Sequence, residues 1–141
     1  MSEIAPDSVA ARLAFVVGRL NRRLTLATGG LSHGLLTALA SVAKRGPLRL
    51  AELAALEGVS APGATRTVAE LETRGLVARK VDPDDGRAFH IEITEAGSDA
   101  ILRARAARAR VVADLLGDLS PEELAGIEAA LPGLEKIIER I

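Results

Sequence analysis

The stretch from residue 50 to residue 77, LAELAALEGVSAPGATRTVAELETRGLV, decides the fold. Apolar residues recur at helical spacing from Leu50 and stop at Gly58, which can adopt the positive φ of a sharp helix exit. Ser60 is a natural N-cap for a second helix, and Pro62 falls in its first turn, where the missing backbone N–H costs little. Two short helices joined by a tight turn predict a helix-turn-helix.

The residues that follow change from a helical period to an alternating one. Two short β-type runs, residues 76–81 and 88–93, flank the segment DPDDGR at residues 82–87. A proline, a glycine and three aspartates are typical of a hairpin tip, so we interpret Asp82 and its neighbours as turn residues. Leu48–Leu50 is a candidate third strand beside this hairpin. Helix, turn, helix and hairpin together predict a winged helix-turn-helix, in which the hairpin is the wing.

Two short motifs make the pattern more specific. The order GVS, TR, RGLV, then Asp85-Gly86-Arg87 and Ile93-Thr94-Glu95-Ala96-Gly97 resembles the MarR family of bacterial transcriptional regulators, with Ile in place of the family's Leu. The resemblance implies a mainly α fold with a small β-hairpin wing (α+β), and N- and C-terminal dimerisation helices. It implies a single domain over residues 1–141, with a DNA-binding lobe at 31–97 and dimerisation helices at 1–30 and 98–141.

The second helix of the motif, here called the reading helix, is the predicted contact with the DNA major groove. Its apolar stripe is Ala64, Val68 and Leu71. We expect its N-terminal half to face the bases and Arg74 to contact DNA as well; the predicted N-terminal residues are Ser60, Ala61, Pro62, Gly63, Ala64, Thr65 and Arg66. Arg66 can pair with guanine or hold a phosphate, and both possibilities remain open.

The wing tip supplies a second predicted contact. In the resembling proteins a wing arginine enters the minor groove, and an aspartate two positions earlier holds it; Arg87 and Asp85 match these positions. The alternative is a surface ion pair on a turn, worth about 0–1 kcal/mol.

The flanking segments predict long amphipathic helices. Apolar residues recur from about Asp7 to Thr28, again through 98–117, and after the capping box Ser120-Pro121-Glu122-Glu123. The last helix carries an apolar face to the chain end, which favours pairing with a second copy, whereas a simple capping role is the alternative for the first helix. We expect an interruption or kink at Pro132-Gly133, and ion pairs Asp99–Arg103 and Arg110–Asp114.

A small anionic or aromatic effector is implied by the resemblance, bound near the first, second and fifth helices. Arg23 and His33 are the candidate ligand-binding residues. For His33, an exposed or helix-capping role is the alternative.

Composition bounds the remaining function classes. The 141 residues contain no cysteine, which excludes disulfides and thiolate metal sites, and the two histidines lie 57 positions apart with no adjacent nucleophile. We therefore expect no enzyme, no cofactor and no metal. No apolar run or leader suggests a membrane segment, so a cytoplasmic protein is expected. The net charge is only −1, but negative charge is concentrated in the C-terminal third, where residues 91–141 carry ten acidic and six basic side chains.

Together these features predict a homodimeric repressor that binds a pseudo-palindromic operator in double-stranded DNA and is released by a small molecule. The alternative is a winged-helix module that binds other proteins and has lost DNA binding.

Overall fold

The computed structural model describes residues 3–140, and within that range it contains six α-helices and three short β-strands. The chain divides into two compact units within the fifth helix. The first unit ends at Arg108, and the second begins at Ala109. In chain order the elements are α1 (Val9–Leu26), α2 (His33–Arg45), β1 (Leu48–Arg49), α3 (Leu50–Glu57), α4 (Ala61–Thr73), β2 (Val77–Val81), β3 (Phe89–Ile93), α5 (Glu95–Leu116) and α6 (Pro121–Ile138).

Local capping signals fix most helix starts. The hydroxyls of Ser32, Ser60 and Ser120 each accept a backbone N–H three residues on, at 3.2 Å. The predicted capping box is confirmed, because the Glu123 carboxylate also accepts the Ser120 N–H at 3.0 Å. Gly58 ends α3 at φ 63°, in the left-handed region that a glycine adopts without strain.

The wing is part of a three-stranded antiparallel sheet of order β1-β3-β2. The predicted third strand is confirmed, since Leu48 pairs with Ile91 and Arg49 pairs with His90. In the hairpin, Val77 lies opposite Ile93 and Val81 lies opposite Phe89. The sheet therefore joins the entry of α3 to the base of the wing.

The hydrophobic core lies in the first unit and joins α2, the helix-turn-helix, the sheet and the start of α5. Leu39, Val68, Leu71 and Ile91 have no exposed surface there, and Ile101 anchors α5. Each fully buried aliphatic side chain is worth about 1.5–3 kcal/mol of transfer free energy. This core holds the reading helix (α4) by its predicted stripe.

Two details differ from the sequence expectations. The last helix continues through Pro132 without the predicted interruption. Neither predicted α5 pair, Asp99–Arg103 or Arg110–Asp114, is among the ion pairs between residues 3 and 140; exposed pairs of this kind gain only a few tenths of a kcal/mol.

The terminal helices are mostly exposed, and the half-buried residues on them are Ala11, Leu24 and Thr25 on α1 and Leu124 and Leu134 on α6. None of the residues of α1 or α6, all of which the structure describes, is buried. Large apolar side chains are exposed on each helix; they are Val9, Leu13, Phe15, Val16, Val17, Leu20 and Leu26 on α1, and Ile127, Leu131, Ile137 and Ile138 on α6. No helix in the described part of the chain is long and apolar enough to cross a membrane.

Candidate nucleic-acid interface

The N-terminal half of the reading helix presents a polar, open surface. Ser60, Pro62, Thr65 and Arg66 are exposed. The Thr65 hydroxyl donates to the Ala61 carbonyl at 2.9 Å, so its methyl group and lone pairs remain for an external partner. Positive partial charge at a helix N-terminus favours a nearby phosphate.

Ala64 does not belong to this surface. Its exposed fraction is 1%, because it lies one turn before Val68 on the stripe that packs into the core. The prediction that Ala64 contacts DNA is therefore wrong, and the small side chain serves close packing. Ala61 is exposed and Gly63 is partly exposed, so they remain candidates for contacts with DNA.

The basic side chains of the reading helix and wing divide into paired and unpaired groups. Arg74 binds Glu70 at 2.8 Å, Arg79 binds Glu72 at 3.1 Å, and Lys80 binds Glu92 at 2.8 Å, so the charges of these three basic side chains are locally balanced. Between residues 3 and 140, Arg66 and Arg87 take part in no ion pair. These two guanidinium groups are thus the ones available to phosphates or bases without breaking an existing pair.

Arg74 also has a structural contact. Its Nη2 donates to the Gly30 carbonyl at 3.4 Å, which links the end of α4 to the loop before α2. A DNA contact by Arg74 would compete with this link and with the Glu70 pair.

The wing tip is stabilised by hydrogen bonds to the side chain and to the backbone carbonyl of Asp85. The Asp85 Oδ1 accepts the backbone N–H of Arg87 at 3.0 Å, and the Ala88 N–H donates to the Asp85 carbonyl at 3.0 Å. No ion pair between Asp85 and Arg87 occurs in the described part of the chain. The expectation that the carboxylate holds the guanidinium is corrected: Asp85 fixes the backbone of the turn.

The base of the wing is held by Asp82, a role that the sequence reasoning missed. Asp82 is 2% exposed, and its Oδ2 lies 2.6 Å from Arg49 Nη2 and 3.2 Å from His90 Nε2. The backbone N–H of Asp84 donates to Oδ1 at 2.9 Å. This hydrogen bond, followed by the Arg49 pair, holds the pKa of the Asp82 carboxyl below its ordinary value, although burial acts in the opposite direction.

The Thr94 and Gly97 signature joins the wing to α5. The Thr94 hydroxyl donates to the Gly75 carbonyl at 2.7 Å and accepts the Gly97 N–H at 3.0 Å, which caps the helix. A Cβ on Gly97 would lie 2.1 Å from the Leu76 carbonyl oxygen. Only glycine permits this approach between α5 and the start of β2.

The two predicted effector residues lie in different places. Arg23 lines a shallow depression on α1 with Arg19 and Arg22. His33 is exposed in the first turn of α2 and lines two cavities of the first unit, one toward α5 and one toward α3 and α4. The structure does not bring Arg23 and His33 to a common cavity among the described residues. No three His, Cys, Asp or Glu side chains in that range are grouped to hold a metal ion.

A helix-turn-helix whose reading helix stands on a buried stripe, followed by a β-hairpin with an unpaired arginine at its tip, defines the winged helix-turn-helix class of DNA-binding proteins. The model of the MarR family matches residues 31–89. An HTH-type transcriptional regulator of Mycobacterium tuberculosis is 33% identical over 117 residues, which is 82% of each chain. The chain belongs to the MarR family and is a DNA-binding transcriptional regulator.

Solved structures agree with this fold. A transcriptional regulator of Thermotoga maritima superposes with a TM-score of 0.69 and 28% identity, covering 93% of this chain and 94% of that one. A mutant MepR of Staphylococcus aureus, described as bound to an oligodeoxyribonucleotide, gives a TM-score of 0.70 at 17% identity and covers 93% of this chain and 98% of its own. At that identity the MepR likeness concerns the fold alone.

Proposed function

We propose that the protein is a repressor that binds a pseudo-palindromic operator as a homodimer and is released by a small anionic effector. The observation that supports DNA binding by specific residues is that two guanidinium groups take part in no ion pair within residues 3–140. They are Arg66 on the reading helix and Arg87 at the wing tip. In this proposal Arg66 contacts the major groove and Arg87 enters the adjacent minor groove. MepR, a protein of the same fold, is described as bound to an oligodeoxyribonucleotide, which supports DNA binding by this fold.

The homodimer is supported by the exposed apolar faces of the terminal helices. An 18-residue helix without a buried residue gains little from folding on its own chain, and both α1 and α6 are of this kind. Burying their large apolar side chains against a second copy would remove these faces from water. In this proposal residues 1–30 and 98–141 form the dimer, and residues 31–97 form the DNA-binding lobe. Two-fold symmetry then places two half-sites about 34–36 Å apart on the duplex.

The effector is proposed to bind in a cavity of about 210 Å³ between α2 and α5. His33 and Thr37 line it from α2, and Arg105 and Arg108 line it from α5. The Nε of Arg108 is buried and has no hydrogen-bond partner among the described residues. An unsatisfied buried donor costs about 1–3 kcal/mol, and a carboxylate in the cavity would relieve that cost.

An electrophoretic shift with fragments upstream of the protein's own gene tests DNA binding. We expect a retarded complex at low salt that weakens steeply as salt rises, because phosphate contacts release counterions. The double variant Arg66→Ala with Arg87→Ala should abolish the complex, whereas Lys136→Ala, which removes one positive charge on α6, should retain it. No complex with any upstream fragment at low salt would favour the alternative of a protein-binding winged helix.

Thermal melting with benzoate tests the effector site, since a ligand of the folded state raises the melting temperature. We expect benzoate to stabilise the wild-type protein and to leave Arg108→Gln unchanged. Equal stabilisation of both proteins would place the anion elsewhere.

A further inference from the structure

A second cavity lies inside the helix-turn-helix, on the opposite side of His33 and Thr37 from the proposed effector site. Its volume is about 340 Å³, at the lower end of the roughly 300–1,000 Å³ range of ligand pockets. Residues of α2, α3, the turn and α4 all contribute to its wall. The cavity belongs to the first unit of the chain.

The acidic side chain of this cavity, Glu57, has no positive partner. Its Oε1 accepts a hydrogen bond from the Ser41 hydroxyl, and Glu57 takes part in none of the ion pairs between residues 3 and 140. Four other acids of the same lobe, Glu70, Glu72, Asp82 and Glu92, take part in ion pairs, and the acids that do not, such as Glu52, Asp84 and Asp85, are exposed. A partly buried carboxylate next to an apolar wall gains from a cation that replaces lost water.

The rest of the wall is mostly apolar. Leu53, Ala38 and Ala64 are buried core residues whose surfaces form one side of the cavity. The Thr37 hydroxyl already donates to the Gly34 carbonyl at 3.1 Å, so it offers a ligand only an acceptor. Apolar surface beside one unpaired negative group selects for a small body that carries a positive charge.

We propose that this cavity binds a small monocationic amine with an apolar body. The ammonium group lies against the Glu57 carboxylate and donates hydrogen bonds to it, and the body lies against Leu53, Ala38 and Ala64. Because Ala64 and Thr67 belong to the reading helix, the occupant touches the element proposed to enter the major groove. The inference does not depend on the anion site, whose charged groups are Arg105 and Arg108, although His33 and Thr37 line both cavities.

Isothermal titration calorimetry with benzylamine tests the inference. Benzyl alcohol and benzoate, which have a similar shape, are the neutral and anionic control ligands. We expect benzylamine to bind the full-length protein and to shift the amide NMR signals of Gly34 and Thr67. Glu57→Gln keeps an acceptor for Ser41 and should weaken benzylamine at least tenfold. Glu128→Gln, the same change on exposed α6, should leave the affinity unchanged.

Two further measurements separate a binding effect from a folding effect. Glu57→Gln should melt cooperatively and still gain stability from benzoate, whereas Arg108→Gln should bind benzylamine normally. Thr67→Leu keeps the carboxylate but fills the cavity, and it should also weaken benzylamine. If benzyl alcohol binds as tightly as benzylamine, or if Glu57→Gln binds benzylamine as the wild type does, the proposal is wrong.

Discussion

At the scale of single residues, Asp82 shows how one buried carboxylate can hold a functional hairpin. It contacts Arg49 before the helix-turn-helix and His90 on the far strand of the wing, so it ties two parts of the lobe together. Asp85, three positions later, acts only on the turn itself. Adjacent acidic residues in one short motif therefore have different structural roles.

The lowered pKa of Asp82 predicts an acid-sensitive contribution to stability. The unfolded carboxyl takes up a proton near its ordinary value of 3.8, while the folded one stays ionised to lower pH. The contribution is therefore complete above pH 3.8 and is lost as pH falls through the folded pKa. We expect Asp82→Asn to lower the urea midpoint at pH 7 and to lose less stability between pH 7 and pH 3 than the wild type does. Circular dichroism follows unfolding, and Asp84→Asn should behave as the wild type.

Arg87 is predicted to act on DNA and not on folding. Arg87→Ala should weaken operator binding at least tenfold, about 1.4 kcal/mol, because a guanidinium in a narrow minor groove gains affinity from local negative potential. The melting temperature should stay unchanged, since this side chain forms no ion pair within residues 3–140. Fluorescence anisotropy with labelled operator measures the affinity. Normal binding by Arg87→Ala would mean that the wing does not contact DNA.

A substitution at Asp85 distinguishes the effect of turn geometry on operator binding from the effect of charge alone. Asp85→Ala removes the acceptor for the Arg87 N–H and also removes a negative charge near DNA. We expect weaker operator binding, because the turn that presents Arg87 loses its fixed backbone. Tighter binding by this variant would show that charge outweighs geometry at the wing tip.

At the scale of elements, the reading helix combines an exposed edge with a buried stripe. Arg66→Ala should cost about 1–3 kcal/mol of operator affinity and reduce preference at one base position per half-site, if its contact is to a base. Affinities for a set of operators with single substitutions measure this effect. A uniform loss across all sequences would assign Arg66 to a phosphate.

The junction between the wing and α5 depends on one glycine. In Gly97→Ala the new methyl group would also lie 2.8 Å from Ile93 Cγ1, besides its clash with the Leu76 carbonyl. We expect the free energy of unfolding to fall by about 1–3 kcal/mol in urea titrations. Gly34→Ala is the matched control, because a Cβ there meets only the Ser32 hydroxyl at 4.0 Å. An unchanged stability for Gly97→Ala would mean that α5 shifts freely at this junction.

Elements with local signals could be predicted from the sequence, and contacts between distant residues could not. Ser60 and Ser120 mark helix starts within three residues, and the alternation of β3 defines the hairpin. The bond of Asp82 to Arg49 spans 33 positions, so no local pattern indicates it. The sequence pattern is compatible with Ala64 on either face of α4, and only its packing against the core distinguishes the two. The burial of the Glu57 side chain and of the Arg108 Nε likewise depends on how helices pack.

At the scale of the whole molecule, the exposed terminal helices predict that folding and self-association are coupled. Deleting residues 120–141 should leave an aggregating or unfolded protein, because the apolar face of α1 would lose its proposed partner. The milder pair Ile137→Glu with Ile138→Glu replaces two exposed apolar side chains and should shift the protein from dimer toward monomer in analytical ultracentrifugation.

The control for the dimer prediction is Glu128→Ala, a change on the same helix that removes no apolar surface. It should sediment as the wild type does. A soluble, cooperatively folded monomer after deletion of residues 120–141 would contradict the dimer.

The hydrogen bond from the Asp82 N–H to the Ala88 carbonyl, at 3.0 Å, closes the wing hairpin below its tip. The contacts of Asp82 with Arg49 and His90, which hold the base, lie at or below that bond, while residues 83–87 are exposed and return one hydrogen bond to the base, from the Asp84 N–H to Asp82 Oδ1. We therefore expect that residues 83–87 can be replaced while the base of the hairpin keeps its contacts with Arg49 and His90. Doubling the length of a flexible loop costs only about 0.6 kcal/mol of closure free energy. Tips of other lengths could thus be grafted between Asp82 and Ala88, to retarget the protein to duplexes of different groove width without rebuilding its core.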